Sequence, residues 1–236
     1  MTAANKKGVH RIAWNLRHAT QVAITDEKSG ANPDRPSGAY AVPGTYSATL
    51  NSRVNGMTSE IAGPVSFDLV RITEQALPGS TPAEATAFQR QVADAQTAVS
   101  AANTTVADLT AKLKLYRMAI DRASGGATLE GQYNMIRAEV QALDEALTGS
   151  NAARRKGTTP ATITSRVNYA ARSGSTTYDP TTYGPTTQSH QQLGWAMEAF
   201  VDVRGRLSVL TGATVPAFEN AMESAGAPWV KGADLR

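Results

Sequence analysis

Ten apolar residues, Phe88, Val92, Ala95, Val99, Ala102, Val106, Leu109, Leu113, Tyr116 and Ile120, recur at alternating spacings of four and three. An α-helix of about 3.6 residues per turn gathers such positions onto one face, whereas a strand scatters them over two. A repeat averaging about 3.5 residues is the seam that packs knobs into holes against other helices. Its start is marked by Thr81-Pro82-Ala83-Glu84, which supplies an N-cap hydroxyl, a proline at the first helical position and a glutamate three residues after the cap. The pattern predicts a helix over residues 82–122, roughly 60 Å long at ~1.5 Å per residue.

Ser124-Gly125-Gly126 stops that helix, and a second seam follows at Leu129, Tyr133, Ile136, Val140, Leu143 and Leu147 until Gly149. So short a connection predicts an antiparallel helical hairpin. A third stripe runs through Leu193, Ala196, Phe200, Val203, Leu207 and Leu210 and continues over Thr214, Ala217 and Ala221. Pro216 lacks an N–H and clashes with the carbonyl four residues back, so a kink or break is expected near 212–216. Residues 150–187, rich in Thr, Ser, Gly and Pro, are expected to be a long ordered loop. Three stripes are most simply closed as a three-helix bundle.

The first 75 or so residues have a period of two instead. Ile12, Trp14 and Leu16 alternate with Arg11, Asn15 and Arg17, and a shorter apolar run covers residues 21–24 before a polar loop at 26–37. Pro43-Gly44 suits a type II turn leading into a strand with Tyr46, Ala48 and Leu50 on one face. Asn55-Gly56 marks a tight hairpin, and a last strand sets Val65, Phe67 and Leu69 on one side. The reading is an α+β chain: a small antiparallel immunoglobulin-like β-sandwich over residues 1–78, then a long antiparallel three-helix bundle over 79–236 with an ordered loop at about 150–187.

Composition narrows the chemistry. The 23 basic residues nearly balance 20 acidic ones and are spread along the chain, so nucleic acid is not an expected partner. The one dense basic run, Arg154-Arg155-Lys156, reads as a solvated loop. No apolar run reaches the ~20 residues of a membrane-spanning helix. With no cysteine, disulfides, thiolate catalysis and Cys-ligated zinc are excluded, but the compartment is left open. No signal peptide is visible at the start, which leaves either a cytoplasmic chain or an export signal further upstream.

His10, His18 and His190 lack companions at metal-ligand spacing, and no metal or cofactor is expected. Ser189-His190 could suggest a nucleophile beside a base, yet neighbouring helical residues diverge and no G-x-S-x-G elbow is present. The closest carboxylate pairs are Asp26-Glu27, Asp144-Glu145 and Glu198/Asp202; the last lies outside its apolar stripe and reads as solvated. No catalytic residue is assigned, and an enzyme is not expected. Tyr169, Tyr178 and Tyr183, set among Thr and Ser, form a candidate interaction surface, because tyrosine offers large contact area at low entropy cost. The other reading is that they anchor the long loop onto the helices.

Gly8-Val9-His10-Arg11-Ile12-Ala13-Trp14-Asn15-Leu16-Arg17 followed by Val42-Pro43-Gly44-Thr45-Tyr46 resembles the signature of FlgD-like immunoglobulin-type sandwiches. Such a sandwich follows the propeller in exported bacterial sortilin-type (VPS10, BNR-repeat) β-propeller proteins, often labelled glycosyl hydrolases, and precedes a heptad-rich helical region. The tail of that region is similar to Gly184-Pro185-Thr186-Thr187-Gln188 and to Glu219-Asn220-Ala221 with Ala225-Gly226-Ala227-Pro228-Trp229. Two departures stand out: only seven residues precede the Gly8 motif, where a strand is usual, and Val42 replaces one proline of a pair. The first predicts an exposed sheet edge or a strand supplied by an upstream domain.

The resemblance implies no catalytic residues here, since any glycosidase-like role would sit in a propeller. It implies an exported, non-catalytic structural and interaction module, acting as a spacer and as a docking or oligomerisation arm. Its partners would be an upstream propeller domain, another subunit or a second copy. A carbohydrate-binding accessory module is the alternative.

Overall fold

In a computed structural model the chain is a mixed α/β protein with a two-stranded antiparallel sheet and a set of helices. The structure describes residues 1–19, 38–72, 78–158, 160–172 and 183–231, without the side chain of Arg154. The chain divides into two compact units, Met1–Ala93 with Ser173–Thr186, and Asp94–Arg172 with Thr187–Arg236. The elements are β1 (Gly44–Val54), β2 (Met57–Leu69), α1 (Pro82–Ile120), α2 (Glu130–Thr148), α3 (Asn151–Arg155), α4 (Ile163–Arg172), α5 (Thr187–Val209) and α6 (Val215–Ser224). A 3₁₀ turn at Gly126–Leu129 leads into α2, and a π-helical turn at Leu210–Thr214 joins α5 to α6.

In the first unit β1 and β2 pair from Gly44↔Leu69 to Val54↔Met57. Asn55 (φ 50°) and Gly56 (φ 83°) make the connection, both in the left-handed region that a two-residue hairpin turn requires. Gly44 opens β1 directly, so the expected Pro-Gly turn is replaced by a bend at Pro43. The four or five strands expected for a sandwich come down to two among the described residues. Residues 9–17 do not form a strand: Arg17 makes a single bridge to Tyr40. The segment closes on itself instead, with Leu16 at φ 58° and the Trp14 indole N–H donating to the Arg17 carbonyl at 2.9 Å. The expected run at 21–24 and loop at 26–37 lie outside the described residues. Helix α1 begins in this unit with the anticipated reciprocal cap. The Thr81 N–H donates to Glu84 at 2.7 Å, and the Glu84 N–H donates to the Thr81 hydroxyl at 3.2 Å. These bonds hold the Glu84 carboxyl below its ordinary pKa, the Thr81 backbone bond contributing most.

The second unit is helical. Every residue of the first seam from Ala95 to Ile120 is buried, as is every residue of the second, with Leu143 and Leu147 wholly enclosed. Each large aliphatic side chain among them gains ~1.5–3 kcal/mol over an exposed one. Arg117 on α1 reaches Glu130 at 2.8 Å and lies over the Tyr133 ring, which ties α1 to α2. Arg206 on α5 grips both oxygens of Glu139 on α2, at 2.8 and 3.0 Å. Exposed to about a third, that pair fixes register more than it adds stability, at ~0–1 kcal/mol.

Two expectations for this unit need correction. Residues 150–187 are not one long loop, because Ile163–Arg172 form α4, which buries Ile163, Val167 and Ala170. Its N-terminus is capped by Thr162, whose hydroxyl accepts the Ser165 N–H at 3.1 Å. The three stripes therefore do not close a simple three-helix bundle, since α4 packs on α5 and α2 and sends Thr164 to Asn103 of α1 at 3.3 Å. The third stripe also leaves its expected course. Thr214 and Ala217 are exposed, and Val215, Phe218 and Met222 are buried in their stead. The π turn, whose closing bond runs from the Val215 N–H to the Leu210 carbonyl, adds one residue and moves every later core position by one.

Tyr116 and Phe218 meet edge to face at 5.4 Å where α6 crosses α1. The Tyr116 hydroxyl donates to Glu219, whose carboxylate also holds Lys112. Burial, then the hydrogen bond to Glu219 and its charge, push the Tyr116 phenol well above the ordinary tyrosine value. The folded state therefore keeps a proton that the unfolded chain releases above about pH 10. Urea stability is expected to fall with rising pH beyond that point, and less steeply in Tyr116→Phe, which has no proton to lose. Parallel slopes for the two proteins would show that the phenol is not held in this way.

Candidate functional site

The hairpin is amphipathic across its two faces. Tyr46, Ala48, Leu50 and Val54 of β1 share one face with Phe67, Val65, Ala62 and Met57 of β2, as their cross-strand pairing requires, and the hydrogen-bonded pair Ser52 and Ser59 interrupts it between Leu50 and Val54. Thr45 with Asp68, Ser47 with Ser66, and Asn51 with Glu60 occupy the other. The sequence places this alternation correctly, and it is the pattern of a sheet with one buried side. Among the described residues, only one end of the apolar face is covered. There the Trp14 ring lies 5.4 Å from Tyr46 and 6.4 Å from Phe67, and these two rings stack at 6.1 Å. Trp14, itself half-buried, thus caps one end of the face. Beyond it Leu50 is 48% exposed, Val65 67% and Met57 76%. Both strands also have a free edge, since among the described residues no third strand pairs with either.

This bare face is the candidate site. A lone two-stranded hairpin is marginal in water. Full burial of Leu50, Val54, Met57, Val65 and Phe67 is worth ~1.5–3 kcal/mol each, so a covering surface would have a strong gross driving force. The face carries no charge. Arg53, Glu60 and Asp68 all point to the opposite side, so recognition here rests on shape and apolar contact.

Two of the three tyrosines of the candidate interaction surface are described, one in each unit. Tyr169 is exposed on α4, in the helical unit. Tyr183, also exposed, belongs to the other unit, where its carbonyl accepts the Ser80 N–H at 2.9 Å, and Tyr178 lies outside the described residues. Ser189 is fully buried whereas its neighbour His190 is exposed, so the two do not converge on one site. Asp202 is solvated and pairs with Arg206 at 3.3 Å. Of the basic run, Arg155 and Lys156 are exposed. Among the described residues no cluster of His, Asp and Glu has metal-binding geometry, and no helix is long and apolar enough to cross a membrane. The chain matches no known protein family, no curated protein and no solved structure.

Proposed function

We propose that the chain is a non-catalytic structural and interaction module whose hairpin docks, apolar face inward, on β-structure of a neighbouring domain or subunit. The observation that carries this reading is the apolar face running from Phe67 to Met57, broken by the Ser52–Ser59 pair and, among the described residues, uncovered beyond Trp14. On this reading β1 and β2 are part of an immunoglobulin-type sandwich completed by the partner, and α1, α2 and the α5–α6 rod are the three-helix core of a spacer, with α4 added to it. The likeness of residues 8–17 and 42–46 to FlgD-like sandwiches of exported propeller proteins supports an upstream propeller domain as that partner and an exported location. The size of the face argues in the same direction. Ten residues of two strands cover on the order of 350 Å² at ~3.3 Å per residue and ~4.8 Å per strand. A stable encounter of free proteins needs about 800 Å² from each side. A tethered neighbour requires far less, because the linker supplies the effective concentration.

The test is hydrogen exchange on the chain alone, with light scattering to give its mass. The hairpin amides are expected to exchange far faster than those of α1 and α2 in a monomeric chain, and an apolar dye is expected to bind. Leu50→Glu with Val65→Glu should abolish dye binding and leave the helical unit's melting within ~0.5 kcal/mol of the parent. Hairpin protection equal to that of α1, or a hydrolase activity in the isolated chain, would overturn the reading.

A further inference from the structure

A second feature, independent of the hairpin, lies in the helical unit. Between Ser150 and Met197 the sequence holds five basic residues, Arg154, Arg155, Lys156, Arg166 and Arg172, against one acidic residue, Asp179. Asp179 lies outside the described residues. Arg166 and Arg172 are on α4, which carries no acidic residue and packs on α5, where the first carboxylate is Glu198. Two aromatic rings are also left in water here: Trp195 of α5 is 50% exposed and Tyr169 of α4 41%. The Arg166 guanidinium lies 5.1 Å from the centre of the Trp195 ring. Tyr169 follows Arg166 by three residues, a helical spacing that makes their side chains neighbours.

Arg166 is oriented without being neutralised. Its Nη1 donates to the Gln192 side-chain carbonyl at 2.7 Å, and its contact with Trp195 restrains the guanidinium further. Among the described residues no carboxylate pairs with Arg166, or with Arg172, which is exposed at the end of α4. The Nε and Nη2 edge of Arg166 donates to no described residue, and that edge is the fork that two carboxylate oxygens fit. Arg166 also lines a cavity of about 330 Å³ whose apolar wall is Ala146, Ile163, Ala199 and Val203. Asp202, on the same cavity, is already paired with Arg206 at 3.3 Å. We propose that this α4–α5 face docks an acidic segment of a partner protein. One carboxylate of the segment takes the Arg166 fork, others face Arg172, and its apolar side chains lie on Trp195 and Tyr169 and in the cavity. Trp, Tyr and Arg are the side chains that dominate binding energy at protein interfaces. Nucleic acid fits less well, because Arg166 covers one face of the ring on which a base would stack and two arginines make no extended track.

The test follows the indole N–H resonance of Trp195 in the full chain, assigned by Trp195→Phe. The probe is an acetylated and amidated peptide of sequence Glu-Glu-Leu-Glu-Glu. Its controls are the Gln-Gln-Leu-Gln-Gln and Lys-Lys-Leu-Lys-Lys peptides and a thymidine oligonucleotide of the same length. The acidic peptide is expected to shift the signal saturably, with a Kd of about 1 mM or tighter, and to bind more weakly as salt is raised. Arg166→Gln should weaken binding at least ~10-fold, the loss expected of a charge-assisted partner. Arg172→Gln, at an exposed helix end, should weaken it about 3-fold, as for an exposed ion pair. Arg53→Gln on the hairpin should leave it unchanged. The proposal is overturned by no saturation with the acidic peptide, by an equal response to the glutamine peptide, or by tighter binding of the lysine peptide or the oligonucleotide. Unchanged affinity in Arg166→Gln overturns it as well. Should that variant lose the native indole signals, Arg172→Gln decides, and unchanged affinity there overturns it.

Discussion

Phe218→Ala is expected to destabilise the helical unit by about 3–5 kcal/mol, the range for truncating an enclosed aromatic residue, measured as a lower urea midpoint in the far-ultraviolet dichroism. Phe218 is buried and meets Tyr116 edge to face at 5.4 Å and 72°, so its loss opens a cavity at the one aromatic contact between α6 and α1. The pair itself accounts for ~0.5–1.5 kcal/mol beyond the area it buries. Val201→Ala on the exposed side of α5 is the matched control and should stay within ~0.5 kcal/mol. A change below ~1 kcal/mol at Phe218 would mean that α6 does not present this face to the core.

How much of this fold the sequence reveals depends on how long each pattern persists. The seams from Phe88 to Ile120 and from Leu129 to Leu147 repeat often enough that single misfits average out, and their residues are buried as expected. The Thr81–Glu84 cap and the Asn55-Gly56 turn are local devices that need no tertiary context, and both form. Helix α4 escapes because it is ten residues long and buries only Ile163, Val167 and Ala170 among polar neighbours. The Thr162 cap and the four-three spacing are its signal, and the surrounding Thr and Ser content conceals it. Residues 9–17 err in the opposite direction. Their alternation is strand-like, but a strand also needs a neighbour to pair with, and Leu16 at φ 58° interrupts the extended backbone. The hairpin's two-faced character was readable from alternation. What covers its apolar side depends on a surface that alternation within β1 and β2 does not encode.

The π turn at Leu210–Thr214 is the clearest case in which one residue decides a register, and it leads to the second large prediction. The core positions Leu207, Leu210, Val215, Phe218 and Met222 are spaced three, five, three and four. Removing Gly212, which is exposed, makes that spacing three, four, three and four, a continuous α-helical stripe. On packing alone the deletion should be harmless. Pro216 opposes it. In the native chain Pro216 directly follows the π turn, whose closing bond runs from the Val215 N–H to the Leu210 carbonyl, and on this reading the extra residue there makes room for the missing N–H. In a continuous helix the same proline falls in the interior, removes a bond and clashes with the Thr211 carbonyl, at a cost of about 3 kcal/mol or more. Deletion of Gly212 is therefore expected to destabilise by about that amount, and Pro216→Ala alone by less than ~0.5 kcal/mol. The two changes together should return close to the parent, with a coupling near ~3 kcal/mol in a urea double-mutant cycle. A deletion that is harmless by itself would show that the π turn does not exist to accommodate Pro216. A loss that Pro216→Ala fails to recover would show that the extra residue is needed for the path of the chain between α5 and α6.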